Sequence, residues 1–288
     1  MKSKWSKYIE SDYERVHTKL LDVNLEENEI DKILDVRTGC SYVTKTIDAG
    51  VIREVETYPM YLSKDMPSEW KREKNRIAQK NLNNKNAQKS FVRKINTNFK
   101  DGDYHITLNY ENESVPTDYV QAKRDMQNFI RRLKRKLKRE NIQEELKYIY
   151  VTEHREGDKG IRCHHHLIIN SLLSRDEIEE AWKFGKRIKS TKLSGDELHL
   201  TGLATYLSKD PKGKKRWCCS KNLKDPKITK SHSKFTKKRI NNMTRNQNLV
   251  KEEMERVNPG YVFIDHQIYI NEHNGKPYIY ARMRKIKE

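Results

Sequence analysis

The sequence predicts an α+β fold, a central, mostly antiparallel sheet flanked by helices. Short alternating runs of β-branched and aromatic residues recur along the chain, helix-period segments lie between them, and several strand-to-strand links are short enough to force antiparallel pairing. With 15 Tyr, 6 Phe and 4 Trp in 288 residues, the chain has side chains enough for a core although only 34% of it is hydrophobic. So many aromatics, with only 11 Gly and 7 Pro, exclude a fully disordered chain.

Each element has its own signal. Residues 1–35 hold nine acidic and six basic side chains and read as a helical, solvated segment. Residues 41–47, a turn at Asp48-Ala49-Gly50 and residues 51–58 read as a hairpin. Residues 68–92 carry few breakers and read as helix. Residues 104–110 alternate like a strand. Thr117 is a fair N-cap for a long helix to about Glu140, with Met126, Ile130, Leu133 and Leu137 at helical spacing. Strands follow at 148–154 and 163–170, then a helix over 175–189 opened by Ser174, and a short helix over 201–209. A helix over 236–257 and a hairpin of 261–270 with 278–283, turning at Asn274-Gly275, close the chain.

Charge narrows the function. Sixty Lys and Arg against 41 Asp and Glu leave a formal net charge of +19, which calls for an anionic partner, nucleic acid first. The longest apolar runs, such as 148–151, reach only four residues. A spanning helix needs about 20, so neither a membrane span nor a signal peptide is expected. Cys40, Cys163, Cys218 and Cys219 form no CxxC pair, which argues against a zinc ribbon or a disulfide framework and for a cytoplasmic protein.

The sharpest local feature is Cys163-His164-His165-His166. On a strand His164 and His166 share a face, and two imidazoles two residues apart can grip one divalent metal. If the two strands pair as a hairpin, Glu153 returns beside His164 as a third ligand. A register shifted by one would substitute His154, a soft site would use Cys163, and a histidine cluster of this kind can also be purely structural. Some forty residues on, Tyr206-Leu207-Ser208-Lys209 places Tyr206 and Lys209 on one helix face. A phenol becomes a useful nucleophile toward phosphorus when a cation and a metal lie beside it.

In this order the segments resemble the HUH endonuclease superfamily, and within it the rolling-circle replication initiators of Gram-positive plasmids and phages that use a single catalytic tyrosine. Residues 105–110, HITLNY, resemble the family's first motif, usually FxTLTY. His164-His165-His166 is similar to the HUH motif and Tyr206-Leu207-Ser208-Lys209 to the YxxK motif. Residues 83–99 and the hairpin strand 51–58 resemble the approach to the first motif, so the likeness covers roughly residues 40–225. Asn109 replaces the usual threonine, and His165 stands where an aliphatic residue is usual. The resemblance implies a metal-dependent, sequence-specific nickase and strand transferase. His164, His166 and Glu153 would hold Mg²⁺ or Mn²⁺, Tyr206 would be the nucleophile, and Lys209 would assist.

By this reading the chain divides into an acidic segment 1–40, an accessory hairpin and helix 41–100, an endonuclease core 101–225 and a basic helix with hairpin 226–288. Cations at Arg131, Arg132, Arg135 and Lys138 of the long helix, and at Lys214, Lys215 and Arg216, are candidate contacts to single-stranded or origin DNA. Trp217 and Phe235 are candidates to stack on bases. No Gly-x-x-x-x-Gly-Lys-[Ser/Thr] loop occurs, so an initiator of this kind would borrow a host helicase and DNA polymerase. A relaxase, a single-tyrosine transposase, a tyrosine-independent metal nuclease and a non-catalytic basic binding protein are the alternatives.

Overall fold

The computed structural model describes residues 7–10, 13–17, 19–22, 25–35, 39–62, 64, 76–153, 162–186, 188–208, 217–271 and 274–286. The chain opens with β1 (Tyr8–Glu10), α1 (Tyr13–Val16), β2 (Lys19–Leu20), α2 (Glu27–Leu34), β3 (Cys40–Ala49), β4 (Ile52–Leu62) and α3 (Arg76–Asn98). There follow β5 (Tyr104–Asn109), α4 (Tyr119–Arg139), β6 (Tyr148–Glu153), β7 (His164–Ile169), α5 (Arg175–Ala181), β8 (Ile188–Lys192) and α6 (Thr201–Leu207). The last elements are β9 (Cys218–Cys219), β10 (Lys227–Ser231), α7 (Lys237–Arg245), α8 (Leu249–Val257), β11 (Tyr261–Ile270) and β12 (Pro277–Lys285). The class is α+β with two antiparallel sheets, in two units: residues 1–87 with 226–288, and residues 88–225.

The first unit holds a sheet in the order β10-β3-β4-β12-β11-β2, with β1 paired on β4. The β3–β4 turn relies on Gly50, whose φ of 67° suits a residue without a Cβ. Pairing of Ile279 with Thr57 through Arg284 with Ile52 joins the early and the C-terminal hairpins in one sheet. Alternation sends Val55, Ile268, Ile279, Ala281 and Met283 to a face that α7 and α8 cover with Ile240, Met243, Val250 and Met254.

Three expectations change in this unit. The helix expected over 236–257 is two helices, because Asn246 takes an extended conformation (φ −125°, ψ 97°). The described part of residues 1–35 is not one solvated helix: β1 and β2 add to the sheet, and Tyr13, His17, Leu21, Ile30 and Leu34 are buried. Phe235 is buried in this core and offers no face for base stacking.

The second unit holds a five-stranded sheet in the order β8-β5-β7-β6-β9. One face carries Ile106 and Leu108 of β5, Leu167 and Ile169 of β7 and Tyr150 of β6. Helix α4 covers it with Met126, Phe129, Ile130, Leu133 and Leu137, whose spacing of three and four makes one apolar stripe. Its N-cap is Asp118 rather than Thr117, since the Asp118 carboxylate accepts the Gln121 amide at 2.8 Å. The opposite face carries Ile149, Val151 and Ile168. It is covered by Phe91, Ile95 and Phe99 from the end of α3 and just beyond it, and by Leu200, Ala204 and Leu207 at α6.

The helix expected over 175–189 stops at Ala181. Ser174 caps it as expected, but Trp182 turns extended and sinks into the core, its Nε1 donating to the Asn109 carbonyl at 2.8 Å. Gly185 then passes so close to β5 that a Cβ there would lie 2.4 Å from the Asn109 oxygen. Residues 188–192 can therefore pair with β5 as an edge strand.

Candidate metal centre and its tyrosine

Alternation along β7 turns His164 and His166 to one face and His165 to the other. The β6–β7 register sets Glu153 directly opposite His164. The two imidazole Nε2 atoms lie 3.2 Å apart, and the Glu153 oxygens approach them at 3.9 and 3.8 Å. These three side chains bring their ligand atoms within 4.8 Å of one another.

The surroundings fix the tautomers. His164 Nδ1 donates to the Arg162 carbonyl at 2.9 Å, and His166 Nδ1 faces Thr107 Oγ1 at 3.3 Å. With Nδ1 protonated in both rings, the two Nε2 lone pairs converge on one point. Lone pairs 3.2 Å apart beside a carboxylate repel unless a positive charge stands between them. A cation with ligand bonds of about 2.1 Å at near right angles separates its donors by about 3 Å, so this donor set fits a divalent ion. Cys163 belongs to the buried core on the α4 side, which takes its sulfur out of the ligand set.

Tyr206 sits at the same place. Its ring meets that of His166 edge-on, with centroids 6.3 Å apart, and the residue is 55% exposed, open to a substrate. Helix α6 is anchored from α3: the buried Asn96 accepts the Leu200 amide at 3.2 Å and donates to Thr201 Oγ1 at 2.8 Å. His199, at φ 56°, donates from Nε2 to the Phe99 carbonyl at 3.1 Å. Asn96 and His199 were not candidates from sequence, because their partners are far from them along the chain.

His165 explains its own departure from an aliphatic residue. It is fully buried; Nδ1 lies 2.9 Å from Thr152 Oγ1 and Nε2 lies 2.9 Å from Tyr110 Oη, which in turn donates to Asp125. A proton order consistent with all three runs from the Thr152 hydroxyl to Nδ1, from Nε2–H to the Tyr110 oxygen, and from Tyr110 to the carboxylate. Burial, and then the neighbouring His164 and His166, push the His165 pKa down to about 3, so the ring is neutral. Burial, and then Asp125, raise the Tyr110 phenol well above its ordinary value.

The other sequence candidates separate. Arg131, Arg135 and Lys138 are exposed on α4, which covers the sheet face opposite the histidine pair. Arg132 turns inward, its Nε donating to the Ala181 carbonyl at 2.7 Å, and ties α4 to α5 instead of facing DNA. Trp217 packs on Phe91 at 5.1 Å between centroids. Lys209, Lys214, Lys215, Arg216 and His154 lie outside the described residues. One neighbour not singled out from sequence is His105, whose ring stacks on His166 at 5.6 Å. Burial, and then the charge of Lys189, lower the His105 pKa. Among the described residues, no helix is long and apolar enough to cross a membrane.

No curated protein and no solved structure matches the chain. Residues 103–211 match the family model of the replication-associated protein ORF2. That segment contains Glu153, His164, His166 and Tyr206, and the match supports a role as a replication initiator.

Proposed function

We propose that the protein is a rolling-circle replication initiator that nicks and rejoins one DNA strand through a covalent link to Tyr206. The observation that carries this reading is the exposed Tyr206 ring, 6.3 Å from the ring of His166 in the Glu153–His164–His166 cluster. Glu153, His164 and His166 would hold Mg²⁺ or Mn²⁺. The bound cation would supply charge neutralisation and orientation at the scissile phosphate.

The chain's own residues do the rest. Tyr206 Oη attacks the phosphorus in line and gives up its proton, the bond from phosphorus to O3′ breaks, and the 3′-hydroxyl leaves with a proton. The product is a 5′-phosphotyrosine. Because one phosphodiester is exchanged for another, a later 3′-hydroxyl can reverse the step and close a strand. Anchoring of α6 by Asn96 and His199 supports this role, since a nucleophile works only when held close to attack geometry. Lys209, three residues on, would add positive charge. The exposed cations of α4 lie across the sheet from Tyr206, so DNA that touches them would be a different stretch from the one being cut. Single-stranded or origin DNA is the partner on this reading, with helicase and polymerase drawn from a bacterial host.

The test is a denaturing gel of protein incubated with Mn²⁺ and single-stranded oligonucleotides tiled across the encoding element. A covalent band in the wild type that is lost in Tyr206→Phe and in His164→Ala is the expected result. Cleavage without a band would indicate a tyrosine-independent nuclease. Tight binding with no cleavage would indicate a plain binding protein.

A further inference from the structure

We propose that the strand to be cut runs over the β5–β8 side of the histidine-bearing sheet face, with Lys189 gripping its backbone beside the cluster. This rests on the nickase reading for its purpose, but its geometry stands apart from it. Directly paired residues of antiparallel strands share a face. Lys189, Thr107, His166 and Val151 therefore form one row across β8, β5, β7 and β6. Thr191, His105, Ile168 and Ile149 form the next row, and Asn109, His164 and Glu153 lie in the row on the other side.

The two halves of this face differ in chemistry. On the β6 side, Ile149, Val151 and Ile168 are buried under Phe91, Ile95, Leu200 and Ala204. A polymer of phosphates has no path there. On the β5–β8 side the same rows continue as Thr107, His105, Lys189 and Thr191; the first two are half-buried and the last two exposed. His105 Nε2 is buried with no hydrogen-bond partner, and its ring leans on His166. It is thus a polar group at the cluster that no described protein atom satisfies. Lys189 stands two strand spacings from His166, about 9.6 Å between backbones, and its long stem covers much of that distance. A strand whose scissile phosphate lies at the cluster and Tyr206 would set a neighbouring phosphate within reach of this ammonium.

The same strand supplies its own control. Lys192 is also exposed, but it projects from the opposite face of β8. Ser190, which shares that opposite face, bonds Glu179 of α5 at 2.7 Å, in keeping with that direction. The experiment uses the full-length chain and a fluorescein-labelled single-stranded dT20, with binding read by anisotropy over a range of salt. Lys189→Ala is expected to weaken binding about fivefold and to lower the slope of log K against log salt by about 0.7, the loss of one phosphate contact. Lys189→Arg should restore both, and Lys192→Ala should stay within about twofold of wild type. On an oligonucleotide that forms the covalent band, Lys189→Ala should slow adduct formation without changing Mn²⁺ affinity. Equal effects of Lys189→Ala and Lys192→Ala on dT20 binding would overturn the proposed path. A wild type that binds dT20 but forms no adduct on any oligonucleotide would remove the nickase reading and leave the path to be judged on binding alone.

Discussion

His165 shows how one side chain stiffens the strand that carries the candidate ligands. Its two ring nitrogens join Thr152 on β6 to Tyr110 just beyond β5, so β7 is tied to both of its neighbours through one buried imidazole. Replacing it with leucine keeps the apolar bulk but strands the Thr152 hydroxyl and the Tyr110 phenol without this partner. Each buried polar group left unsatisfied costs about 1–3 kcal/mol. His165→Leu is therefore expected to lower unfolding stability by about 2 kcal/mol or more, read as a fall in the urea midpoint at unchanged m-value. An unchanged midpoint would mean that the chain of hydrogen bonds contributes nothing net. The His-x-His pair on its flanks was legible in the sequence because strand alternation is a local rule. The role of His165 was not, because Tyr110 and Asp125 reach it through tertiary contacts.

At the scale of elements, the tyrosine helix depends on α3 more than on its own sequence. Helix α6 spans only seven residues, and Leu200 at its N-cap position has no capping side chain of its own. Asn96 supplies what that start lacks, accepting one amide and donating to one hydroxyl. Asn96→Ala is expected to slow covalent adduct formation about 10- to 100-fold, as misplacement of a nucleophile by about 1 Å does, while Mn²⁺ affinity stays at the wild-type value. A wild-type rate would show that α6 is held by its apolar contacts alone. The strands β5, β6 and β7 and the helix α4 could be read from period and capping signals. Strand β8 could not, because residues 175–189 have helical composition and only the burial of Trp182 and the passage of Gly185 against β5 end the helix early. That misreading also hid Lys189, whose place beside the histidines comes from pairing across the sheet.

For the whole molecule, a net charge of +19 explains attraction to nucleic acid but not where the strand lies. The second unit sorts its polar groups by sheet face: the acidic–imidazole cluster and Tyr206 on one side, the exposed cations of α4 on the other. Crowding two imidazole lone pairs and a carboxylate costs the native state stability that a bound cation returns. Mn²⁺ at about 100 times its dissociation constant is expected to stabilise the wild type by about 2.7 kcal/mol, seen as a rise in Tm. His164→Ala should lose that rise, and an equal rise in both proteins would place the ion elsewhere.

The most direct test of the central claim is peptide-level mass spectrometry of the covalent protein–DNA product after nuclease trimming. The chain has 15 tyrosines, so the position of the nucleotide mark is informative. A 5′-phosphonucleotide on the peptide containing Tyr206, formed only with a divalent cation present, is the predicted result. A mark on any other tyrosine, or cleaved DNA with no marked peptide, would contradict it.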